Sequence, residues 1–214
     1  GAGTDEYAIA PTGVDPLDAC LEGGLPRGQL SEIIGPRTSG RMTVLVQLIA
    51  AATRRGELVA LVDALDMLDV ASLAAAGVAL DRVLWIRGHV IVHAGLCRDL
   101  NQRAMEQAIR AMSLVLQAGN FGLVVMDVAE APPDALRRLP FTTWLRLQRM
   151  VEGSQTSALL VGSLPMARSP AGLTLPALLR SAFFVFAMFA AMVLLRRGHF
   201  QIALWIVIVT LIEA

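Results

Sequence analysis

Lysine is absent from this chain, because all 18 basic residues among the 214 are arginine. Acidic residues also number 18, so the formal net charge is zero. A protein that binds nucleic acid on its own usually carries a basic surplus. We therefore expect any contact with DNA to be local, weak or dependent on a partner.

Cysteine is nearly absent as well. Cys20 and Cys97 stand alone, with no C-x-x-C motif, which is typical of reduced thiols in an intracellular protein. The first residues are acidic and polar, and no basic flank precedes an apolar stretch, so no signal peptide is predicted. We expect a cytoplasmic protein.

No uninterrupted apolar run reaches the roughly 20 residues that a membrane-spanning helix requires. Residues 182–195 and 202–212 are apolar, but Arg196, Arg197 and His199 separate them. We predict that both runs are buried strands that complete a sheet within a C-terminal unit, residues 181–214, and that no membrane is involved. An anchor formed by residues 182–212 is the alternative.

The composition that remains is apolar. Hydrophobic residues make up 55 % of the chain and charged residues 17 %, which favours a folded α/β protein with buried strands. Apolar strand patterns at 30–34, 58–62, 83–86, 123–127 and 157–161 alternate with helical patterns at 43–54, 70–76, 99–117 and 139–152. This alternation predicts a mostly parallel sheet covered by helices on both faces. We assign residues 1–29 to a lead-in segment and 30–180 to the core.

A glycine-rich loop, residues 35–43, joins the first strand to the first helix. Gly35 and Gly40 have the G-x-x-x-x-G spacing of a phosphate-binding loop. Such a loop continues with lysine for the phosphates and Ser or Thr for Mg²⁺, but this chain has Arg41 and Met42. Thr43 comes one residue late, which on a helix turns its hydroxyl about 100° away.

Acidic residues follow two of the strands. Ligands of parallel sheets lie at the carboxyl ends of the strands, where Asp63 and Asp127 are expected. Asp127 could hold magnesium, or could accept a hydrogen bond from the following loop. Two groupings resemble metal sites by spacing, Asp63 with Asp66 and Asp69, and His89 with His93. We expect the aspartates to be helix caps or solvent-exposed, and predict no metal site.

Four segments resemble the RecA family over residues 11–175. They are T-G-V-D-P-L-D at 12–18, G-G-L-P-R-G-Q-L-S-E-I-I-G-P at 23–36, L-V-D-A-L-D-M-L-D at 61–69 and L-V-V-M-D at 123–127. The resemblance implies a RecA-like three-layer sandwich whose C-terminal strands extend the sheet. It also implies that Asp127 is the Walker-type acid.

The departures from the family lie at four separate positions. Leu65 stands where the family has a water-positioning glutamate, and Leu164 where it has a γ-phosphate-sensing glutamine. Arg41 and Met42 are the other two. Because phosphoryl transfer depends on positioned charge, we expect a protein without hydrolysis and without a nucleotide cofactor.

Residues 168–175 are similar to a short turn of the ImuA-type accessory protein of the bacterial translesion mutasome. That resemblance implies a non-hydrolysing interaction protein in DNA-damage tolerance. Its partners would be an inactive Y-family polymerase homologue of the ImuB type and the RecA filament. The alternative is a RecA-type or KaiC-type ATPase or switch in which Arg41 replaces the lysine.

A basic strip could contact a partner or DNA. It consists of Arg137, Arg138, Arg146 and Arg149, flanked by Phe141 and Trp144. Arg168 is the only basic residue in what would be the family's first DNA-binding loop. A solvated helix face is the alternative for the strip.

Overall fold

The structure is a computed structural model that describes residues 9–88, 98–167 and 174–176. Short elements come first, with strand β1 at Ile9–Ala10, helix α1 at Asp15–Cys20 and strand β2 at Leu25–Pro26. The elements that follow, in chain order, are β3 Leu30–Ile34, α2 Arg41–Arg54, β4 Val59–Asp63, α3 Val70–Ala75, β5 Val83–Arg87, α4 Arg98–Ala118, β6 Leu123–Asp127, α5 Pro133–Arg137, α6 Phe141–Val151, β7 Ser157–Gly162 and β8 Thr174–Pro176.

Six of the strands form one sheet in the order β5-β4-β6-β7-β3-β8, and every neighbouring pair is parallel. The predicted parallel sheet is therefore confirmed. In the register of β4 with β6, Asp63 lies directly beside Asp127. Both acids thus lie at the carboxyl edge of the sheet, as expected.

Helices cover both faces of the sheet and bury one apolar core on each. Helices α4, α5 and α6 pack on one face, where Leu30 contributes to the core. Helices α1, α2 and α3 lie on the other face, where Ile33 is buried. Because side chains alternate along a strand, Leu30 and Ile33 of one strand serve different cores. The predicted three-layer α/β architecture is confirmed.

Two helix boundaries differ from the prediction. Helix α2 begins at Arg41 instead of residue 43. The helix predicted over 139–152 begins at Phe141, and a separate helix, α5, precedes it. The cause is Pro140, whose extended backbone (φ −61°, ψ 142°) forms the N-cap of α6. Proline lacks an N–H and restricts the preceding residue, so it separates two helices well but continues one poorly.

The lead-in segment packs against the sheet. Leu25 is 1 % exposed, and β1 pairs with β2 in an antiparallel ribbon that the sequence did not predict. Gly24 lies so close to the Ala10 carbonyl that a Cβ there would come within 2.1 Å of the oxygen. Arg27 forms an ion pair with Glu57 at 2.6 Å, which ties the lead-in to the start of β4.

Strand β8 extends the sheet beyond β3. The strands predicted within residues 181–214 lie outside the described residues, as do His89, His93 and Cys97. Within the part that the structure describes, no helix is long and apolar enough to cross a membrane.

Candidate functional site

The glycine-rich loop connects β3 to α2 at the carboxyl edge of the sheet. Its first residue, Gly35, donates its N–H to the Gly162 carbonyl at the end of β7 (3.1 Å). Gly40 has φ 81° and ψ 5°, a left-handed conformation that glycine adopts without strain. Helix α2 therefore begins directly from the loop. Its N-cap, Gly40, has no capping side chain, and the Ser39 hydroxyl accepts the N–H of Arg41 at 3.4 Å.

Arg41 turns its guanidinium into the protein. Its side chain is 2 % exposed, with Nη1 donating to the Gly35 carbonyl at 2.6 Å and Nη2 to Glu130 Oε1 at 2.5 Å. Nε is buried and has no hydrogen-bond partner among the described residues. Arg41 thus joins the glycine-rich loop to the loop that follows β6. Its charge is already paired with a carboxylate of the chain itself.

Met42 and Thr43 lie where a P-loop would place its magnesium ligand. Met42 is half-buried and packs against the core beneath α2, while Thr43 is exposed. Mg²⁺ binds oxygen ligands, and a thioether packed against aliphatic side chains supplies none. The Thr43 hydroxyl belongs to the solvent side of the helix.

Asp127 ends β6 beside the loop. The pKa of Asp127 is raised from 3.8 to about 6. Burial is the largest cause and the neighbouring Asp63 carboxylate adds to it, while an N–H from Ala129 (2.9 Å) and the charge of Arg41 oppose the rise. In the structure, Asp127 accepts a hydrogen bond from Ala129 in the following loop, which was the alternative to magnesium binding.

Asp63 is buried, with 2 % of its surface exposed. Its carboxylate accepts N–H groups from Met67 (3.0 Å) and Leu68 (2.9 Å) and the indole N–H of Trp85 (3.2 Å). The expectation of an exposed aspartate was wrong here, because these three donors replace the water that burial removes. Asp63 fixes the turn after β4.

The other two aspartates of this turn behave as expected. Asp69 caps α3 by accepting the Ala71 N–H at 3.0 Å. Asp66 has φ 57° and forms an exposed ion pair with Arg87 at 2.7 Å. Among the described residues, no three His, Cys, Asp or Glu side chains are grouped so that they could hold a metal ion.

Leu65 is buried in the core, whereas Leu164 lies at the surface. Leu65 is 5 % exposed and belongs to the core beneath α4. Leu164 is 38 % exposed and lines a groove of about 590 Å³ together with Phe141 and Pro165. Both side chains are apolar, so neither position supplies a group that could orient water.

Glu32 is a buried residue that sequence reasoning missed. It is 2 % exposed in the middle of β3, where its carboxylate accepts N–H groups from Met166 (3.2 Å) and Ala167. Burial raises the pKa of Glu32, and these two hydrogen bonds oppose the rise. Glu32 therefore fixes the segment after β7. An acid inside an otherwise apolar strand was the signal that could have indicated it.

The predicted basic strip is only partly assembled. Arg137 forms an exposed pair with Asp134 at 3.4 Å, while Arg138, Arg146 and Arg149 are exposed. The aromatic flank is incomplete, because Trp144 is 3 % exposed and belongs to the core. Arg168 lies outside the described residues.

A parallel sheet flanked by helices, with a G-x-x-x-x-G loop leading from a strand into a helix, defines the class of P-loop α/β proteins. Residues 4–135 match the family model described as the RecA N-terminal domain. The chain therefore belongs to the RecA family.

The relatives are RecA proteins. The chain is 36 % identical over 138 residues to Protein RecA of Clavibacter michiganensis subsp. michiganensis, covering 62 % of this chain and 34 % of that protein. It is 36 % identical over 132 residues to Protein RecA of Salinispora tropica, covering 61 % and 34 %. The matched region thus spans about a third of the length of these relatives.

The residues now at the site fit a magnesium-bound triphosphate poorly. Arg41 is engaged with Gly35 and Glu130, and Met42 has no oxygen. The arrangement has a structural role, because one buried guanidinium holds two loops together at the edge of the sheet.

Proposed function

We propose that this protein is a non-hydrolysing, RecA-like interaction protein in DNA-damage tolerance. In this role it binds an inactive Y-family polymerase homologue of the ImuB type and the RecA filament, and so supports error-prone translesion synthesis. The role places it in the cytoplasm, where any contact with DNA is weak or made through those partners. Membership of the RecA family supports the connection with recombination and repair.

The observation that carries the proposal is the position of Arg41. A lysine in a working P-loop must be free to reach the phosphates, whereas this guanidinium is 2 % exposed and bonded to Gly35 and Glu130. Met42 and Leu65 support the same reading, because each replaces an oxygen-bearing group by a buried or half-buried apolar one. These three side chains together support the proposal of a pseudo-ATPase.

Calorimetric titration with ATP and MgCl₂ tests the loss of nucleotide binding. We expect a dissociation constant weaker than about 1 mM, which corresponds to no more than roughly 4 kcal/mol of binding free energy. Arg37→Ala, a change at an exposed position of the same loop, is the matched control. Binding at micromolar concentration that Arg41→Ala abolishes would overturn the pseudo-ATPase reading.

Co-purification tests the interaction role. A tagged full-length chain is mixed with the polymerase homologue and with RecA preassembled on single-stranded DNA, and each is assayed for retention separately. We expect both to be retained. Failure of both would remove the proposed role, whatever the nucleotide titration shows.

One observation favours the alternative, a RecA-type or KaiC-type ATPase or switch that uses Arg41. The loop keeps Gly40 in the left-handed conformation at the start of α2, where a helix N-terminus can bind phosphate. Of the N–H groups of the first turn, that of Arg41 is taken by the Ser39 hydroxyl. Turnover of ATP that is abolished by Asp127→Ala would establish this alternative.

A further inference from the structure

The face of the molecule that carries α4 and α6 contains a long groove, which we call the α4–α6 groove. Its volume is about 520 Å³, and α4 lines it from Gln102 to Gln117. At 1.5 Å per residue, that stretch of helix is roughly 22 Å long, or about four turns. The groove therefore has the length of a short helix.

The wall and floor of the groove are partly apolar. Leu114 is 62 % exposed on α4, and Leu139, Pro140 and Met150 face it from the side of α6. The groove can thus bury an apolar stripe of another helix.

The charge along the groove is strongly one-sided. Arg110 and Arg146 line it, and Arg103 and Arg149 are exposed on the same two helices, against the single lining carboxylate of Glu106. Among the described residues, none of these four arginines takes part in an ion pair. A chain with no net charge therefore carries a local excess of arginine beside a partly apolar groove.

The C-terminal segment of the sequence is not acidic. Residues 177–214 contain Arg180, Arg196 and Arg197 but only one acid, Glu213. By charge, that segment is a poor complement for the α4–α6 groove.

Single-stranded DNA is a poorer fit than a protein helix. Proteins that bind single strands combine basic grooves with aromatic side chains on which bases stack. No lining residue of the α4–α6 groove is aromatic, since Trp144 is in the core and Phe141 lines the other groove. A partly apolar groove flanked by arginines is an arrangement that suits an acidic amphipathic helix.

We propose that the α4–α6 groove binds an acidic amphipathic helix of about four turns from a partner protein. Its apolar stripe packs on Leu114 and Met150, and its carboxylates pair with Arg110 and Arg146. The proposal deepens the interaction role argued above, since it names the chemistry of one partner segment. It does not depend on nucleotide binding.

Fluorescence anisotropy with a labelled synthetic peptide tests the groove. The probe is a helical peptide of about 16 residues with leucines at i, i+3, i+4 and i+7 and glutamates on both flanks. We expect micromolar binding to the full chain, and at least about tenfold weaker binding to the Arg110→Glu, Arg146→Glu double variant. A second variant, Leu114→Ser, should also weaken binding.

The controls separate this site from general charge attraction. Arg37→Glu reverses an exposed charge away from the groove and should leave the affinity unchanged. The same peptide with lysine in place of glutamate should not bind. The proposal is overturned if all variants bind equally, if the acidic peptide fails to bind, or if an oligodeoxythymidine binds with the same dependence on Arg110 and Arg146. If the double variant still retains both partners, the proposal that the groove binds a partner helix is wrong, but the proposed interaction role is not affected.

Discussion

Arg41→Ala should destabilise the fold, even though the residue lies in a loop associated with ligand binding. The substitution removes two short hydrogen bonds from a guanidinium that is 2 % exposed, one to Gly35 and one to Glu130. Hydrogen bonds of charged groups contribute about 1.5–3 kcal/mol each. The unpartnered Nε, which the substitution also removes, offsets about 1 kcal/mol of this. Glu130 is 35 % exposed and regains water. We expect a net loss of about 2–4 kcal/mol.

Urea unfolding followed by circular dichroism measures this loss. With a slope of about 1–3 kcal/mol per molar urea, the midpoint should fall by roughly 1–2 M. Arg37→Ala, at an exposed site in the same loop, should change stability by less than about 0.5 kcal/mol. Comparing the two losses of stability shows whether Arg41 stabilises the fold or is free to bind a ligand.

A double-mutant cycle with Glu130→Gln isolates the ion pair. Glu130→Gln alone should be destabilising, but it should have almost no effect once Arg41 is alanine, because its partner is then gone. We expect a coupling energy of about 1–2 kcal/mol. The reasoning fails if Arg41→Ala is as neutral as Arg37→Ala, or if the effects of the two substitutions simply add.

Three further outcomes are expected. The double variant Arg41→Lys, Met42→Thr restores two family residues but should not hydrolyse ATP, because Leu65 still occupies a core position. Measurable phosphate release by the purified double variant would contradict this. Because the pKa of Asp127 is higher in the folded state, its carboxyl binds more protons in the native than in the unfolded protein between about pH 4 and pH 6, so the contribution of Asp127 to stability should fall as pH rises through this window. Asp127→Asn should reduce that fall in urea titrations, although partial access to solvent limits the change. Glu32→Ala leaves two buried N–H groups without an acceptor and should cost about 2–4 kcal/mol of unfolding free energy, whereas Glu32→Gln keeps an acceptor and should cost less.

The sheet was predictable from the sequence because its strands are buried on both faces and read as continuous apolar runs. Residues 123–127 are the clearest example, since the predicted strand and the observed β6 coincide. The two-residue strands β1 and β2 were not predictable, because their pairing depends on the close approach of Gly24 to Ala10 across fourteen residues of chain. Local propensity contains no information about such a contact.

The identity of the site residues was predictable, but their contacts were not. Sequence spacing placed Arg41 in the glycine-rich loop and left open whether it would replace the lysine as a phosphate ligand. Its partner Glu130 lies 89 residues later in the chain, and no periodic pattern indicates that pair. Asp63 shows the same limit, because three separate N–H donors make a buried aspartate acceptable where exposure was expected.

The Arg41–Glu130 pair has a mechanical consequence for how the protein could be controlled. It fastens the segment after β3 to the segment after β6, and these two can separate only by pulling a buried guanidinium away from its carboxylate. Under the proposed function, a molecule fastened in this way should keep one shape at any cellular ATP level. We expect the activity of the protein in the cell to depend on its amount, which synthesis and degradation set. We expect that activity not to change with the ratio of ATP to ADP.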